Sequence, residues 1–402
     1  MNRRRQGRRL LRRFIPVGLA LPLVAFVLVT FVIPLATMVV QSVHDPEVAD
    51  AFPRTLALLA DWEDSALPSP DVYEAMAAEL VLSRENRSIG KVATRVNRIE
   101  SGTRSVFAKT ARRLESADTS DMPASMIQID RRWGDVSLWR AIVKAGQRYT
   151  ARHYLQSIDL ERGLDGEIQL VSEERRIYKT LYLRTVYVSF AVTVSCFLIG
   201  YPIAFAITSV SDSLAKILLV IVLVPFWTSL LVRTTSWLVL LQNQGVINDI
   251  LVWIGLVDDG SRLALVHNMT GTLIAMTHVL LPFMILPLYA VMRSIPPVYM
   301  RAAASLGANP FQAFARVYFP QSLPGVSAGC LLVFILSLGY YITPALVGGA
   351  KGQLISNMIA YHIQTSLNWG LAAAISVVVL VGVFVCYFLF DRWVGIDKLK
   401  LG

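Results

Sequence analysis

The chain has 402 residues, of which 54% are hydrophobic and only 16% charged, with a mean hydropathy of +0.53. Soluble globular chains carry about 25% charged residues, so this composition excludes an ordinary soluble enzyme or binding module and points to lipid. The charge is also segregated: residues 44–180 hold 22 of the 28 acids and 20 of the 38 bases. The net charge of +10 gives no basic face for nucleic acid, because seven of the bases are arginines among the first thirteen residues.

A hydrocarbon core of about 30 Å needs about 20 helical residues. Six stretches reach that length: Phe14–Val43, Leu181–Val210, Ile217–Leu241, Met269–Val291, Val326–Leu346 and Leu371–Phe390. Prolines at 22, 34, 202, 225, 282, 287 and 344 do not forbid helices there, since neighbouring helices can satisfy the freed backbone groups. The uncharged run of the first stretch, Phe14–Val43, exceeds the ~7–15 residues of a signal-peptide core, so it reads as an uncleaved anchor. Cys196, Cys330 and Cys386 all lie in apolar runs, with neither zinc spacing nor a disulfide framework.

Lys and Arg in short loops set the orientation. With the N-terminus inside, the cytoplasmic side receives the seven arm arginines, Lys216, Arg293, Arg301, Arg316, Arg392, Lys398 and Lys400, against Arg262 and Lys351 outside. Both termini are therefore expected in the cytoplasm and residues 44–180 outside, periplasmic in a Gram-negative cell. The expected fold is an all-α membrane protein of six transmembrane helices, with a mainly helical extracytoplasmic insert between the first and second. Its parts are a basic arm (1–13), helix 1 (14–43), the insert (44–180), a membrane core (181–392) with a cytoplasmic loop at 294–322, and a tail (393–402).

Within the insert, Ser69-Pro70-Asp71 marks a helix start. Ile89, Val92, Val96, Ile99 and Val106 recur at helical spacing, and a second stretch opened by Ser137 and running to about Ser157 buries Leu138, Trp139, Ile142 and Val143. Gly163-Leu164-Asp165-Gly166 reads as a turn, with a short strand at Ile168–Val171. The insert shows no catalytic constellation; a cap on the bundle and a docking surface for an external partner are equally open.

The loop between the fourth and fifth spans carries the most information. Pro296 and Pro297 start a short helix, Met300–Leu306 is alanine-rich, and Gly307 suits the position after a helix end where φ is positive. Asn309 can cap a second helix with Pro310 at its first position, and Pro320 ends or bends it. The product is a basic, amphipathic hairpin bearing Phe311, Phe314 and Phe319, shaped to enter a groove on another protein.

This pattern is similar to the loop of permease subunits of binding-protein-dependent ABC importers: Glu-Ala-Ala, three residues, Gly, nine residues, then hydrophobic, any, hydrophobic, Pro. Ala302, Ala303, Gly307, Val317, Phe319 and Pro320 fall on those positions, while Arg301 stands where the family usually has glutamate and Ser305 where an acid is frequent. Further likeness to spermidine/putrescine-type permeases runs over about 182–392, including Gly200-Tyr201-Pro202, Pro225-Phe226-Trp227-Thr228-Ser229-Leu230 with Arg233, and Gly348-Gly349-Ala350-Lys351. The resemblance implies a type I importer permease whose hairpin, with Arg301, Asn309, Phe311 and Phe314 beside the matched positions, couples to an ATPase. It implies as partners a second permease subunit, two ATP-binding subunits, a periplasmic solute-binding protein and the bilayer. No Gly-x-x-x-x-Gly-Lys-[Ser/Thr] phosphate loop occurs, so the chain is expected to be no enzyme and to carry neither cofactor nor metal, with ATP and Mg on the partner.

Polyamines are cations, yet after Glu174 there is no glutamate, and the aspartates (212, 249, 258, 259, 391 and 397) all lie near helix ends or in loops. Aromatic faces can hold ammonium groups; Trp227, Trp237, Tyr289, Tyr340 and Tyr341 are the candidates for a substrate path. Arg233 counts to about 24 Å along a straight third helix, near the outer leaflet. A membrane receptor explains residues 1–210 but not the four later spans, and a secondary transporter ordinarily needs intramembrane ionisable groups.

Overall fold

The computed structural model describes residues 20–114, 121–163 and 166–394. The basic arm, the beginning of the first expected span, the middle of the 163–166 turn and the tail beyond 394 lie outside the described residues. The chain divides into two compact units, Met1–Glu173 with Trp369–Val377, and Glu174–Asn368 with Val378–Gly402.

In the first unit, α1 (Ala20–Val43) is apolar and exposed along its length, as a helix meant for lipid contact must be, and contains a π-helical turn at Leu28–Val32. Eight shorter helices follow: α2 (Glu47–Ala51), α3 (Pro53–Leu58), α4 (Pro70–Glu85), α5 (Ile89–Asn97), α6 (Arg104–Arg113), α7 (Met122–Ile129), α8 (Val136–Ala145) and α9 (Arg152–Ser157). They end in an antiparallel pair, β1 (Leu160–Arg162) and β2 (Ile168–Leu170), with Leu160 opposite Leu170. Helix α4 opens at Ser69-Pro70-Asp71 with proline in its first turn. The apolar stripe from Ile89 to Val106 is two helices, not one, because Gly102 turns the chain at φ +85° between them. The Ser137–Ser157 stretch is likewise divided into α8 and α9, and α8 begins at Val136 and ends at Gly146. The strand partner at Leu160–Arg162 has no signal of its own in the sequence.

The core of these helices is aromatic and its polar atoms are paired. Tyr73, Phe107, Trp133 and Trp139 are fully buried. Trp133 Nε1 donates to Thr110 Oγ1 at 2.8 Å, while Tyr73 Oη and Trp139 Nε1 both donate to the Trp133 carbonyl, at 2.8 and 3.1 Å. The buried Glu79 carboxylate accepts from the Arg54 and Thr55 amides at 2.7 and 3.1 Å, satisfying the free N–H groups that begin α3.

A second buried cluster is ionic. Asp45 pairs with Arg95 and Arg152, each at 3.2 Å, and Arg95 also with Glu47 at 2.8 Å. His153, 1% exposed, stands 3.7 Å from Asp45, and neither ring nitrogen has a hydrogen-bond partner among the described residues. Burial pushes the imidazole below its usual 6.5, against the pull of Asp45 and with the added push of Arg152. Burial alone would raise the Asp45 carboxyl, but His153, Arg95 and Arg152 outweigh it and hold it below the usual range.

The second unit is built on three long helices that pack together: α10 (Tyr178–Ser209), α14 (Met269–Ser294) and α17 (Phe319–Leu338). Their contact is close because small residues sit at the crossings. A Cβ added to Gly329 would lie 2.7 Å from Met284 Sδ, and one on Gly325 3.0 Å from Val291 Cβ. Gly325 and Gly329, four residues apart, thus present a smooth face that lets two backbones approach. Pro202, Pro282 and Pro287 sit inside these helices without ending them.

Two expected spans differ from the sequence reading. Ile217–Leu241 is not one helix but α11 (Asp212–Trp227) and α12 (Leu230–Leu241), the latter leading to α13 (Val246–Trp253), with a 95° bend at the break. Thr228 and Ser229 are extended there, Pro225 having removed one backbone donor, and Ser229 Oγ caps α12. Arg233 lies past the break, in the first turn of α12, where a straight-helix count does not apply, and donates to the Thr228 carbonyl at 3.3 Å. The Val326–Leu346 stretch also breaks: α17 stops at Leu338, and the chain restarts as α18 (Ile342–Val347), α19 (Gly349–Gly352) and α20 (Ile355–Gln364). Pro344 cannot bond to the Tyr340 carbonyl and crowds it, so a helix can resume only just before the proline. The exposed carbonyls are taken elsewhere, Tyr340 by Ser356 Oγ at 2.7 Å and Tyr341 by Asn357 Nδ2 at 2.8 Å. The last helix is α21 (Trp369–Val394). Among the described residues, five helices are long and apolar enough to cross a membrane, or six with the bent pair taken as one span.

Two outcomes follow from this packing. Gly329→Leu should prevent α14 and α17 from closing and lower the detergent-solubilised melting temperature sharply, whereas Gly382→Leu, with nothing within 4 Å of its Cβ position, should leave it unchanged. Because the fold favours neutral His153, the unfolded chain takes up the proton more readily, and stability falls as pH drops below about 6.5. After correction for the intrinsic pH dependence of amide exchange, protection in α2–α9 should be lower at pH 5.5 than at pH 7.5 in the wild type, with that difference reduced in His153→Gln.

Candidate functional site

The 294–322 loop folds as a helix–glycine–helix hairpin. The first arm is α15 (Val298–Ser305), with Pro297 as its N-cap. It ends in a glycine-centred cap: Gly307, at φ +86°, donates to the Ala304 carbonyl at 3.0 Å, and Ala308 donates to Ala303 at 3.1 Å. The second arm, α16 (Pro310–Ala313), opens with a reciprocal cap in which Asn309 Oδ1 accepts from the Gln312 amide at 2.8 Å and Gln312 Oε1 accepts from the Asn309 amide at 3.2 Å. Both sides of the glycine are therefore fixed, and the tip is a rigid corner.

Beyond α16 the structure departs from the expectation for Pro320. The chain does not end there. It widens into a π-helical turn at Phe314–Tyr318 and continues directly into α17, with Pro320 in its first turn. A π turn opens the helix by one residue, and here it absorbs the missing N–H and the ring of Pro320 without a bend that would detach the hairpin. A helical strut runs unbroken from the hairpin into the bundle.

The side chains separate into a tip and a root. At the tip Leu306 is 90% exposed and Phe311 77%, and a Cβ on Gly307 would meet nothing within 4 Å. Arg301, Ala302, Asn309 and Arg316 are exposed too, and Ala303 is buried against the inside of the hairpin. At the root, Phe314 lies 6.1 Å from the Tyr201 ring, 5.8 Å from Phe205 and 5.9 Å from Tyr318, while Phe319 lies 5.7 Å from Tyr201. Tyr318 meets Phe205 at 5.2 Å, and Tyr201 Oη shares a hydrogen bond with Ser322 Oγ at 2.9 Å. Such ring pairs add roughly 0.5–1.5 kcal/mol each beyond burial. Val317, partly buried, completes this side. Tyr201, Phe205, Tyr318 and Ser322 were not among the residues picked from the sequence for this loop; Gly200-Tyr201-Pro202 marked their neighbourhood, but nothing in the spacing links positions 120 residues apart.

The five aromatic candidates for a substrate path lie on four separate segments of the chain. Trp227, 76% exposed, ends α11. Trp237, on α12, donates from Nε1 to His278 Nδ1 at 3.0 Å, which makes His278 a hydrogen-bonded partner within the bundle. Tyr289 and Tyr340 are half-buried against the helical core. Tyr341 lines an apolar cavity of about 270 Å³ with Leu338, Ile355, Ser356, Ile359 and Gln364. Arg233 lies 5.9 Å over the Phe226 ring beside the α11–α12 break. No cluster of His, Cys, Asp or Glu able to hold a metal occurs among the described residues.

A set of apolar helices that pack through small residues and carry a stiff, protruding helical corner defines a multi-pass membrane protein of the transport-permease class. The binding-protein-dependent transport system inner membrane component family matches residues 183–396, and the chain belongs to that family. The spermidine/putrescine transport system permease protein PotB of Salmonella typhimurium (strain SL1344) is 33% identical over 201 residues, 50% of this chain and 69% of that one. The PotB protein of Haemophilus influenzae is 35% identical over 220 residues, 54% and 76% of the two chains. Among solved structures, a chain of a bacterial alginate ABC transporter in complex with an alginate pentasaccharide-bound periplasmic protein is similar over 56% of this chain and 80% of its own, at 19% identity and a TM-score of 0.46.

If the root holds the hairpin to α10, Phe314→Ala should destabilise the second unit by about 2–3 kcal/mol, below the 3–5 of a fully buried ring. Tyr201→Phe should cost about 1 kcal/mol, because Ser322 keeps its bond to the Phe319 carbonyl at 2.7 Å. Thermal unfolding of the purified chain in detergent measures both.

Proposed function

We propose that this chain is the permease subunit of an ATP-driven importer, and that the hairpin around Gly307 is the element through which a separate ATP-binding subunit moves the helices. The observation that carries this reading is mechanical. A corner capped on both sides, exposed at its tip and joined to α10 and α17 by an aromatic root, transmits a push as displacement of two membrane helices instead of deforming. The residues engaged at the tip are Arg301, Ala302, Gly307, Asn309 and Phe311; those that transmit are Ala303, Phe314, Val317, Phe319 and Pro320.

The assembly would contain a second permease subunit, two ATP-binding subunits and an external solute-binding protein. The excess of Lys and Arg in the loops on one side supports termini and hairpin in the cytoplasm and residues 44–180 outside. The direction of transport is inward. Since the two PotB relatives are spermidine/putrescine permeases, the cargo is a polyamine or a related small solute. No acid occurs between Asp259 and Asp391, so this subunit offers a cation aromatic faces and carbonyls along that stretch, a weak transient contact suited to passage. High affinity then belongs to the external binding protein.

Gly307→Trp tests the reading. The new side chain has open space but must adopt a positive φ that costs roughly 1–2 kcal/mol, and it deforms the corner. Uptake of labelled spermidine and putrescine should fall to background while the amount of chain in the membrane fraction is unchanged. Wild-type uptake by this variant would sink the coupling role.

A further inference from the structure

We propose that the surface receiving the hairpin is an apolar cleft rimmed with carboxylates, with one of them paired to Arg301. This rests on the reading that the hairpin docks on an ATP-binding subunit, and it specifies the chemistry of that subunit's surface.

The hairpin carries two positive charges and no negative one. Arg301 and Arg316 are exposed, and neither guanidinium forms an ion pair with any described residue. Arg293, at the base, is paired with Asp212 at the start of α11. That takes the nearby acid, and no other acid occurs in the sequence from residue 260 to residue 390. The same short hairpin carries Leu306 and Phe311, its most exposed apolar side chains. Burying a large apolar side chain contributes about 1.5–3 kcal/mol, so a partner that covers the tip gains most from those two. A partner that encloses so short a hairpin also strips water from the exposed Arg301 guanidinium. A desolvated charge is tolerated only when an opposite charge receives it. A basic or neutral rim would oppose docking, and an acidic one would favour it and fix its register.

A membrane surface could also attract arginine and apolar side chains, but the shape argues against it. A helix lying on lipid presents one apolar stripe and keeps a polar face in water. Helix α15 instead packs Met300 and Ala303 inward and leaves a mixed outer face of Val298, Tyr299, Arg301, Ala302, Ala304 and Ser305, with no continuous apolar stripe. That is the profile of a peg, and the two caps keep it from flattening.

The test uses the full-length chain co-expressed with its ATP-binding subunit, purified in detergent, comparing Arg301→Glu, Arg301→Lys and Phe311→Ala. Melting temperature should not change with Arg301, whose side chain has no described partner. Arg301→Glu should weaken retention of the ATP-binding subunit by about tenfold or more, Arg301→Lys should retain most of it, and only the wild type and Arg301→Lys should lose retention steeply as salt rises. If Phe311→Ala releases the subunit while Arg301→Glu holds it like the wild type, the acidic rim is refuted and the docking reading stands. If neither variant changes retention, both fall. If Arg301→Glu leaves retention intact but abolishes association of the chain, reconstituted in nanodiscs of neutral lipid, with vesicles containing anionic lipid, the arginine serves the membrane and the proposal is overturned.

Discussion

A backbone polar group in hydrocarbon has no water to bond, and every interruption of a helix must therefore come with its own replacement partners. The second unit obeys this rule at each break. Where α11 stops, Arg233 takes the Thr228 carbonyl and Ser229 caps the next helix. Where α17 stops, Ser356 and Asn357 reach back to Tyr340 and Tyr341, and the Ile355 amide donates to Thr185 Oγ1 on α10 at 2.9 Å. Asn248 does the same work after α12, bonding the Gln242 and Leu263 carbonyls at 3.1 and 3.0 Å. Polar side chains in this apolar unit are spent chiefly on backbone, which leaves few to hold a solute.

The same constraint explains why the hairpin can be stiff and exposed together. Its backbone is satisfied internally, by the glycine cap on one side and the Asn309–Gln312 pair on the other. Its side chains are thus free for another molecule. The root reverses this division, with Phe314, Tyr318 and Phe319 turned inward onto Tyr201 and Phe205. One short segment is consequently anchored at its root and exposed at its tip, and the π turn ahead of Pro320 keeps the two parts on one continuous strut.

The first unit is stabilised by different physics. Its helices α2–α9 bury a core of tryptophan, tyrosine and phenylalanine whose polar atoms pair with one another, as in a protein folded in water. It also buries Asp45, Arg95 and Arg152, charges that a lipid-facing unit could not hold at comparable cost. The segregation of acids and bases along the chain reflects this difference in solvent.

Composition and hydropathy were enough to establish a multi-pass helical protein, because burial in lipid imposes long apolar runs that no folded context can disguise. The hairpin was also legible: Gly307, Asn309 and the prolines act through φ, capping and the missing N–H, all local properties. What the tertiary structure decided lies in long-range geometry. Apolar content alone cannot show that Ile217–Leu241 bends by 95°, since the runs on both sides of Thr228 are apolar. Neither Tyr201 nor Phe205 carries a sign that it meets Phe314, because a ring contact across more than a hundred residues leaves no periodicity behind. Likewise Pro320 reads locally as a helix end, and only the π turn and the packing of α17 against α14 convert it into a passage from hairpin to bundle.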